Sequence, residues 1–451
     1  MPAGSAAGGH HWLVATLAIT QTVGYGTLYY AFAVFLVPVA ADLHTSATAV
    51  TGTFTASVLV SAALAVPVGR WLDRHGGRAL MTTGSLLGAL MLVAWSQVHT
   101  LAQLYAVQIG IGIASAASLY EAAFAVIIAW HHPSRRSTAL LALTVVAGFA
   151  STIFLPLTGW LVDAYGWRPA LVILAAVQAA LTVPLHAAAV RRAPYQRHTT
   201  LTTPPAPLRT VLADPSFWLL GISFTANTAA ISVVTVHLVA ALISWGQPAA
   251  FAATIAGLFG VLSVTGRLVI TGLQRRYRIT SVVAAIFTVQ AAAAAVLPLA
   301  GRHAVAAIIA VAGFGLGFGV ATIAKPVLLA DRYDTRRYAT IAGTLVVPIT
   351  IAKATAPLAA AGLHTRDHDY TGVFAAAAVA CLIAAAALIA VPPSGPQRPA
   401  HPQRRQRAAT TAALLRSRQP RTFGSSDPLS LRASAAHRLG VHLPESVYIW
   451  V

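Results

Sequence analysis

The chain has 451 residues, of which 57% are hydrophobic and only 9% charged, with a mean hydropathy of +0.71. Soluble globular proteins carry about 25% charged residues, so the composition excludes a water-exposed surface over most of this chain and points to one facing lipid. The formal net charge is +19, but the arginines lie between apolar runs and in the C-terminal tail, so no nucleic-acid partner is expected. The single cysteine, Cys381, sits in an apolar run, which excludes an internal disulfide or a cysteine-based metal site. No Lys or Arg precedes Arg70, so the first apolar run lacks the basic flank of a cleaved signal and is expected to remain as a span.

About twenty apolar residues cross a bilayer as a helix. Twelve runs qualify: 12–40, 47–69, 79–97, 101–129, 137–162 and 168–190, then 213–243, 249–272, 279–300, 303–330, 337–362 and 371–391. The expected fold is all-α, with twelve transmembrane helices in two pseudo-symmetric six-helix bundles. The N-terminal bundle is expected over 1–190 and the C-terminal bundle over 213–391. A polar, Pro-rich cytoplasmic linker, 191–212, separates them. Residues 392–451, rich in Arg, Ser, Pro and Gln, are expected to form a basic, disordered cytoplasmic tail.

Basic loop residues set orientation. The loops after the second, fourth, sixth, eighth and tenth runs carry Arg70, Arg74, Arg78; Arg135, Arg136; Arg191, Arg192, Arg197, Arg209; Arg275, Arg276, Arg278; and Arg332, Arg336, Arg337. The opposite loops carry Arg168, Arg302 and Arg366. Fifteen against three places both termini in the cytoplasm of a multi-pass plasma-membrane protein. The halves also repeat. An offset of 201 superposes Arg135-Arg136 on Arg336-Arg337, Pro156 on Pro357, Gly112 on Gly313, and Leu72-Asp73-Arg74 on Leu273-Gln274-Arg275. Parallel six-helix repeats joined by a long linker are a carrier architecture, with the site expected near the midplane between them.

Charge at membrane depth is costly and marks candidate functional positions. Glu121 is the only glutamate besides Glu445, and Lys325 and Lys353 are the only lysines. Glu121 lies ~15 Å from the basic end of its helix at 1.5 Å per residue, and Arg267 lies ~12 Å from the end of its own. Lys353 is sixteen residues from Arg337 and fourteen from Asp367, too deep to reach either interface. Lys325 is close enough to the inner end to snorkel or to pair with Asp331. Glu121 has two open readings: neutralising one of these cations, or binding and releasing a proton. One buried acid against two or three bases makes a cavity that attracts anions. A carboxylate could take two parallel hydrogen bonds from Arg267 and a point charge from Lys353. Tyr25, Tyr29, Tyr30, Tyr120, Asn227 and His237 are candidate cavity-lining residues, with helix packing as the alternative for each. Gly313, Gly315, Gly317 and Gly319 have the spacing of close helix contact. His131-His132 has no further ligand nearby, so no metal is expected.

The run Pro67-Val68-Gly69-Arg70-Trp71-Leu72-Asp73-Arg74-His75-Gly76-Gly77-Arg78 puts four charges within nine residues between two apolar runs. It resembles the signature of the major facilitator superfamily, carried here by Gly69, Asp73, Arg74, Gly76 and Arg78. The resemblance covers residues 12–391 and implies a gate at this turn, with Asp73 meeting either a helix N-terminus or Arg135 and Arg136. Within the superfamily the chain resembles the monocarboxylate-transporter and oxalate–formate antiporter branch. The carrying residues are Gly24-Tyr25-Gly26-Thr27-Leu28-Tyr29-Tyr30 with Val37-Pro38, the run from Ala147-Gly148 to Trp160-Leu161, Gly166-Trp167-Arg168, and the pair Arg267 and Lys353. That resemblance implies that Arg267 and Lys353 hold a carboxylate; the candidate lining of Tyr25, Tyr29 and Asn227 and the candidate coupling residue Glu121 come from the polar and charged positions read above.

The expectation is therefore a monomeric secondary active transporter for a monocarboxylate or dicarboxylate, working by alternating access with a proton or counter-anion, and without a cofactor. No Gly-x4-Gly-Lys-Ser/Thr loop for ATP is present. The same-fold alternative is a drug or metabolite efflux pump, which the charge count opposes. A membrane-embedded enzyme or a receptor is the alternative from another class, but the loops are too short to hold clustered catalytic groups.

Overall fold

The structure, a computed structural model, describes residues 4–190, 207–367 and 369–393. The expected linker up to residue 206, and the expected tail beyond Pro393, lie outside the described residues. Among the described residues twelve helices are long and apolar enough to cross a membrane. In the first half these are α1 (His11–Asp42), α2 (Ala47–His75), α3 (Gly77–Trp95), α4 (Leu101–Trp130), α5 (Pro133–Tyr165) and α6 (Trp167–Ala189). In the second they are α7 (Pro215–Ser244), α8 (Ala250–Leu273), α9 (Ile279–Ala300), α10 (Ala304–Arg332), α11 (Thr335–Thr365) and α12 (Thr371–Ile389).

Local chemistry sets several ends. The Ser46 hydroxyl accepts from the Ala49 amide and starts α2. Thr100 and Gln103 form a reciprocal capping box at α4. Gly76, at φ 77°, ends α2 in a conformation that side-chain-bearing residues seldom adopt, so the tight turn into α3 depends on it.

Four spans are interrupted within their apolar runs. A π-helical turn, Gly26–Tyr30, interrupts α1. Leu119 is extended and breaks α4. The regular helix of α5 stops at Ala147 and resumes at Ala150. In α10 it stops at Gly315 and resumes at Val320. Leu119 and Val320 are counterparts under the 201-residue offset, so the breaks in α4 and α10 obey the repeat.

The apolar core is divided unequally. At the end away from the arginine-rich loops each half has its own cluster. One is built around Phe32, Phe35, Trp95 and Leu104 in the first half, the other around Leu238, Phe259, Phe314 and Phe374 in the second. At the arginine-rich end a single cluster spans both halves, joining Leu72, Met81, Ile127 and Leu140 to Phe217, Phe287, Ile323 and Ile341. Between helices in lipid such clusters hold by close van der Waals packing rather than by transfer out of water. The halves are therefore sealed together at one end and separately packed at the other.

Asp214 fastens the start of α7 to the end of α10. Its carboxylate accepts from the Ser216 amide at 2.9 Å, from the Tyr333 hydroxyl at 2.8 Å and from Arg332 Nε at 3.3 Å. Burial works upward on this carboxyl, but those donors outweigh it and hold it below its ordinary value. A depressed folded-state value contributes stability above the unfolded value of about 4, and that contribution is lost as pH falls through the folded value. Asp214→Ala should lower the melting temperature in detergent at neutral pH through loss of a cap worth ~1 kcal/mol. It should also flatten the parent's decline between about pH 5 and 3. An unchanged acid profile would contradict this assignment.

Candidate functional site

The scarce membrane-depth charges converge on the seam between the halves. Glu121 follows the break in α4, and Lys325 follows the break in α10. Lys325 Nζ donates to Glu121 Oε1 at 2.6 Å, with the two side chains 12% and 33% exposed. The expectation that Lys325 snorkels or pairs with Asp331 is thus corrected. A carboxylate at the same depth in the opposite half removes the need to reach the interface.

Arg267 in α8 is only 8% exposed. Its Nη1 donates to the Thr144 carbonyl in α5 at 2.7 Å, while its buried Nε has no partner among the described residues. Close backbone approach makes room for it. A Cβ added to Gly148 would lie 3.1 Å from Arg267 Nη1, and one on Gly319 would lie 2.2 Å from the Ser263 carbonyl. Lys353 in α11 donates to the Tyr29 hydroxyl at 3.2 Å and lies 5.4 Å from that ring's centre. Tyr29 belongs to an aromatic wall on the first half. It packs on Phe54 and Tyr30 at 5.0 and 5.3 Å between centroids, and on Tyr25 at 6.0 Å. Tyr25 in turn lies 4.4 Å from Tyr120. Two cations from the second half thus meet neutral oxygens and ring faces of the first. Among the described residues neither is paired with a carboxylate.

Asn227 is not part of this group. It is fully buried and donates to Gln290 Oε1 at 2.8 Å, and Gln290 donates to the Phe314 carbonyl at 2.8 Å. The pairing lies inside the second half, away from Lys353, because an amide in an apolar helix needs an internal partner. His237 is likewise internal to that half, its Nε2 3.1 Å from the Pro357 carbonyl. Of the α10 glycines, Gly315, Gly317 and Gly319 sit in close contacts, against Leu262 of α8, Gln290 and Ser263 of α8, while Gly313 makes only ordinary ones.

At the arginine-rich end Asp73 reaches across the seam to the start of α11. Its Oδ1 accepts from the Ala339 amide at 3.0 Å, and its Oδ2 from the Thr340 amide and hydroxyl at 2.8 and 2.6 Å. Of the two partners considered for Asp73, the helix N-terminus is the one observed; the positive end of α11 favours a carboxylate there. Gly69 permits this approach, since a Cβ would come within 2.3 Å of the Ala339 carbonyl oxygen. Arg136 is buried, donating to the His131 carbonyl at 3.1 Å and, across the seam, to the Ala330 carbonyl at 3.5 Å. Arg74, Arg78 and Arg135 are exposed. The partners Thr144 and Thr340 escaped sequence reading because they act largely through backbone groups, which carry no residue signature.

Asp73→Ala removes the acceptor of three hydrogen bonds, each to a charged group and worth ~1.5–3 kcal/mol. The expected result is a shift towards opening at this end. It would be read as a longer distance between spin labels at His75 and Arg275 in a Cys381→Ala background. Gly69→Val should act in the same direction. Unchanged distances in both variants would remove this contact from the gate.

The family model described as Major Facilitator Superfamily matches residues 17–347. The chain is similar to monocarboxylate transporter 13 of Rattus norvegicus, with 29% identity over 256 residues, covering 56% of this chain and 59% of that protein. It is also similar to an MFS-type efflux pump of Mycolicibacterium smegmatis, with 31% identity over 170 residues, 37% of this chain and 39% of that one. The matched region thus spans about three-fifths of the rat protein's length. Among solved structures it resembles a bacterial homologue of the iron transporter ferroportin in an outward-facing state, with TM-score 0.70 and 15% identity over 84% of this chain and 98% of that one. It also resembles the human organic anion transporter MFSD10, with TM-score 0.67 and 14% identity over 86% of this chain and 100% of that one. Identities this low speak for the fold alone. The family model, matching well over half of the sequence, shows that the chain belongs to the Major Facilitator Superfamily.

Proposed function

We propose that the protein is a secondary active transporter for a small organic anion, a monocarboxylate or dicarboxylate, held between Arg267 and Lys353. The observation that carries this reading is that both cations face the other half with only neutral partners. A carboxylate arriving between them replaces neutral hydrogen bonds with charge-assisted ones, which are roughly twice as strong. Arg267 can offer its unpartnered Nε together with an Nη in the two-pronged geometry that suits a carboxylate. Tyr29, with Tyr25 behind it, supplies the apolar and hydroxyl-bearing wall. The names of the curated relatives, monocarboxylate transporters among them, support the same substrate class.

The arginine-rich end is taken as cytoplasmic on the loop charges. The shared core and the Asp73 contact then close the cytoplasmic side, and the conformation is outward-facing. Reorientation must break the Asp73–α11 contact and move Glu121 away from Lys325. Glu121 is the proposed coupling residue: protonating it removes the charge that holds Lys325, so a proton would loosen the seam from the middle. Exchange against a counter-anion is the alternative mode, in which reorientation occurs only with the anion bound.

Lys353→Ala should lower carboxylate uptake into proteoliposomes about tenfold or more, the equivalent of 1.4 kcal/mol, with insertion and purification unchanged. Parent-level uptake would refute the site. Arg267→Lys keeps the charge but loses the two-pronged geometry, so it should weaken apparent affinity more than it slows maximal rate. Glu121→Gln should abolish accumulation driven by a pH gradient while leaving anion exchange measurable. Accumulation that still follows the gradient would exclude Glu121 from coupling. The mycobacterial relative motivates the efflux reading, and transport of lipophilic cations in place of carboxylates would favour it.

A further inference from the structure

We infer that the closed, arginine-rich end carries a second anion site, distinct from the central one, that takes a phosphoryl group. A pocket of about 370 Å³ opens there, within the size range of small-ligand sites. Arg70 and Arg74, one helical turn apart in α2, form one wall, and Arg336 and Arg337 at the start of α11 form the other, with Leu208 at the side. Among the described residues the only carboxylate lining it is Asp73, and both of its oxygens are already taken by Ala339 and Thr340. Arg336 is held by Asp334, Nη2 to Oδ2 at 2.6 Å. Burial works upward on the Asp334 carboxyl, but the hydrogen bonds from Arg336 and the nearby Arg337 hold it below its ordinary value. Four guanidinium groups therefore face two committed carboxylates, an excess of two positive charges shared among Arg70, Arg74 and Arg337.

Guanidinium groups from two directions around one concavity suit the tetrahedral oxygens of a phosphoryl group. The walls belong to opposite halves and come together only while this end is closed. An occupant binds that state better than the open one, and by linkage it stabilises the closed state by its differential affinity. The source can be a phospholipid headgroup at the membrane surface or a free phosphate compound.

The test uses the full chain, with inorganic pyrophosphate as the free probe and bilayer discs of phosphatidylcholine with or without phosphatidylglycerol as the lipid probe. Chloride at matched ionic strength controls for screening. Pyrophosphate should raise the melting temperature in detergent beyond the chloride control, and the Arg70→Gln/Arg337→Gln variant should need about tenfold more of it. Should the double variant fail to purify as a monodisperse protein, Arg337→Gln alone is read the same way. A free phosphate source gives the same pyrophosphate response in both disc types. A lipid source gives stabilisation by phosphatidylglycerol, a blunted pyrophosphate response in those discs, and loss of both in the variant. The response must persist in Lys353→Ala, which separates this site from the central one and leaves the substrate reading to its own assay. Equal responses in parent and variant, a response reproduced by chloride, or one abolished by Lys353→Ala would overturn the inference.

Discussion

Lys325 and Glu121 hold each other across the seam, 2.6 Å apart, and the electrostatics of the interior follow from that contact. Glu121 is the only glutamate among the described residues. With it committed to Lys325, no carboxylate among the described residues pairs with Arg267 or Lys353. A charge at membrane depth is expensive; buried Arg267 is held by a carbonyl, and exposed Lys353 by a hydroxyl and a ring face. That is a weak set of partners for two full charges. It leaves Arg267 and Lys353 without a carboxylate partner among the described residues.

The same contact links chemistry to motion. Every polar bond described across the seam lies between the arginine-rich end and Lys353: Asp73 to α11, Arg136 to Ala330, Glu121 to Lys325, Arg267 to Thr144, and Lys353 to Tyr29. The apolar clusters have the same asymmetry, shared at that end and separate at the other. Backbone breaks in α4 and α10 precede Glu121 and Lys325 along their helices, and this pair and the Asp73 contact lie at different points along the seam.

Much of this was legible in the sequence, and the limits have physical causes. Span positions followed from runs of about twenty apolar residues, because lipid imposes that length. The 201-residue repeat was visible in Arg135-Arg136 and Pro156. Lys353 stood out as too deep to snorkel, and Asp73 as a partner for either a helix N-terminus or Arg135 and Arg136, between which only the docking of the halves decides. The partner of Lys325 was not legible, since 204 residues separate it from Glu121 and only the docking of the halves decides between Glu121 and Asp331. Asn227 stood out as a polar residue in an apolar helix, but polarity alone does not say which face it occupies; Gln290 takes it inward. The interruptions at Leu119 and at Gly148 have no strong breaker pattern, because they depend on tight contacts such as Gly24 against Leu119 and Gly148 against Arg267.

The central claim is that the charges left over at the seam select anions. The most direct measurement is counterflow in proteoliposomes preloaded in turn with small monocarboxylates, dicarboxylates and lipophilic cations. External labelled substrate is followed at fixed pH on both sides. The account predicts that internal carboxylates accelerate entry of labelled carboxylate and that lipophilic cations neither accelerate entry nor exchange. Exchange of lipophilic cations with no exchange of carboxylates would contradict it.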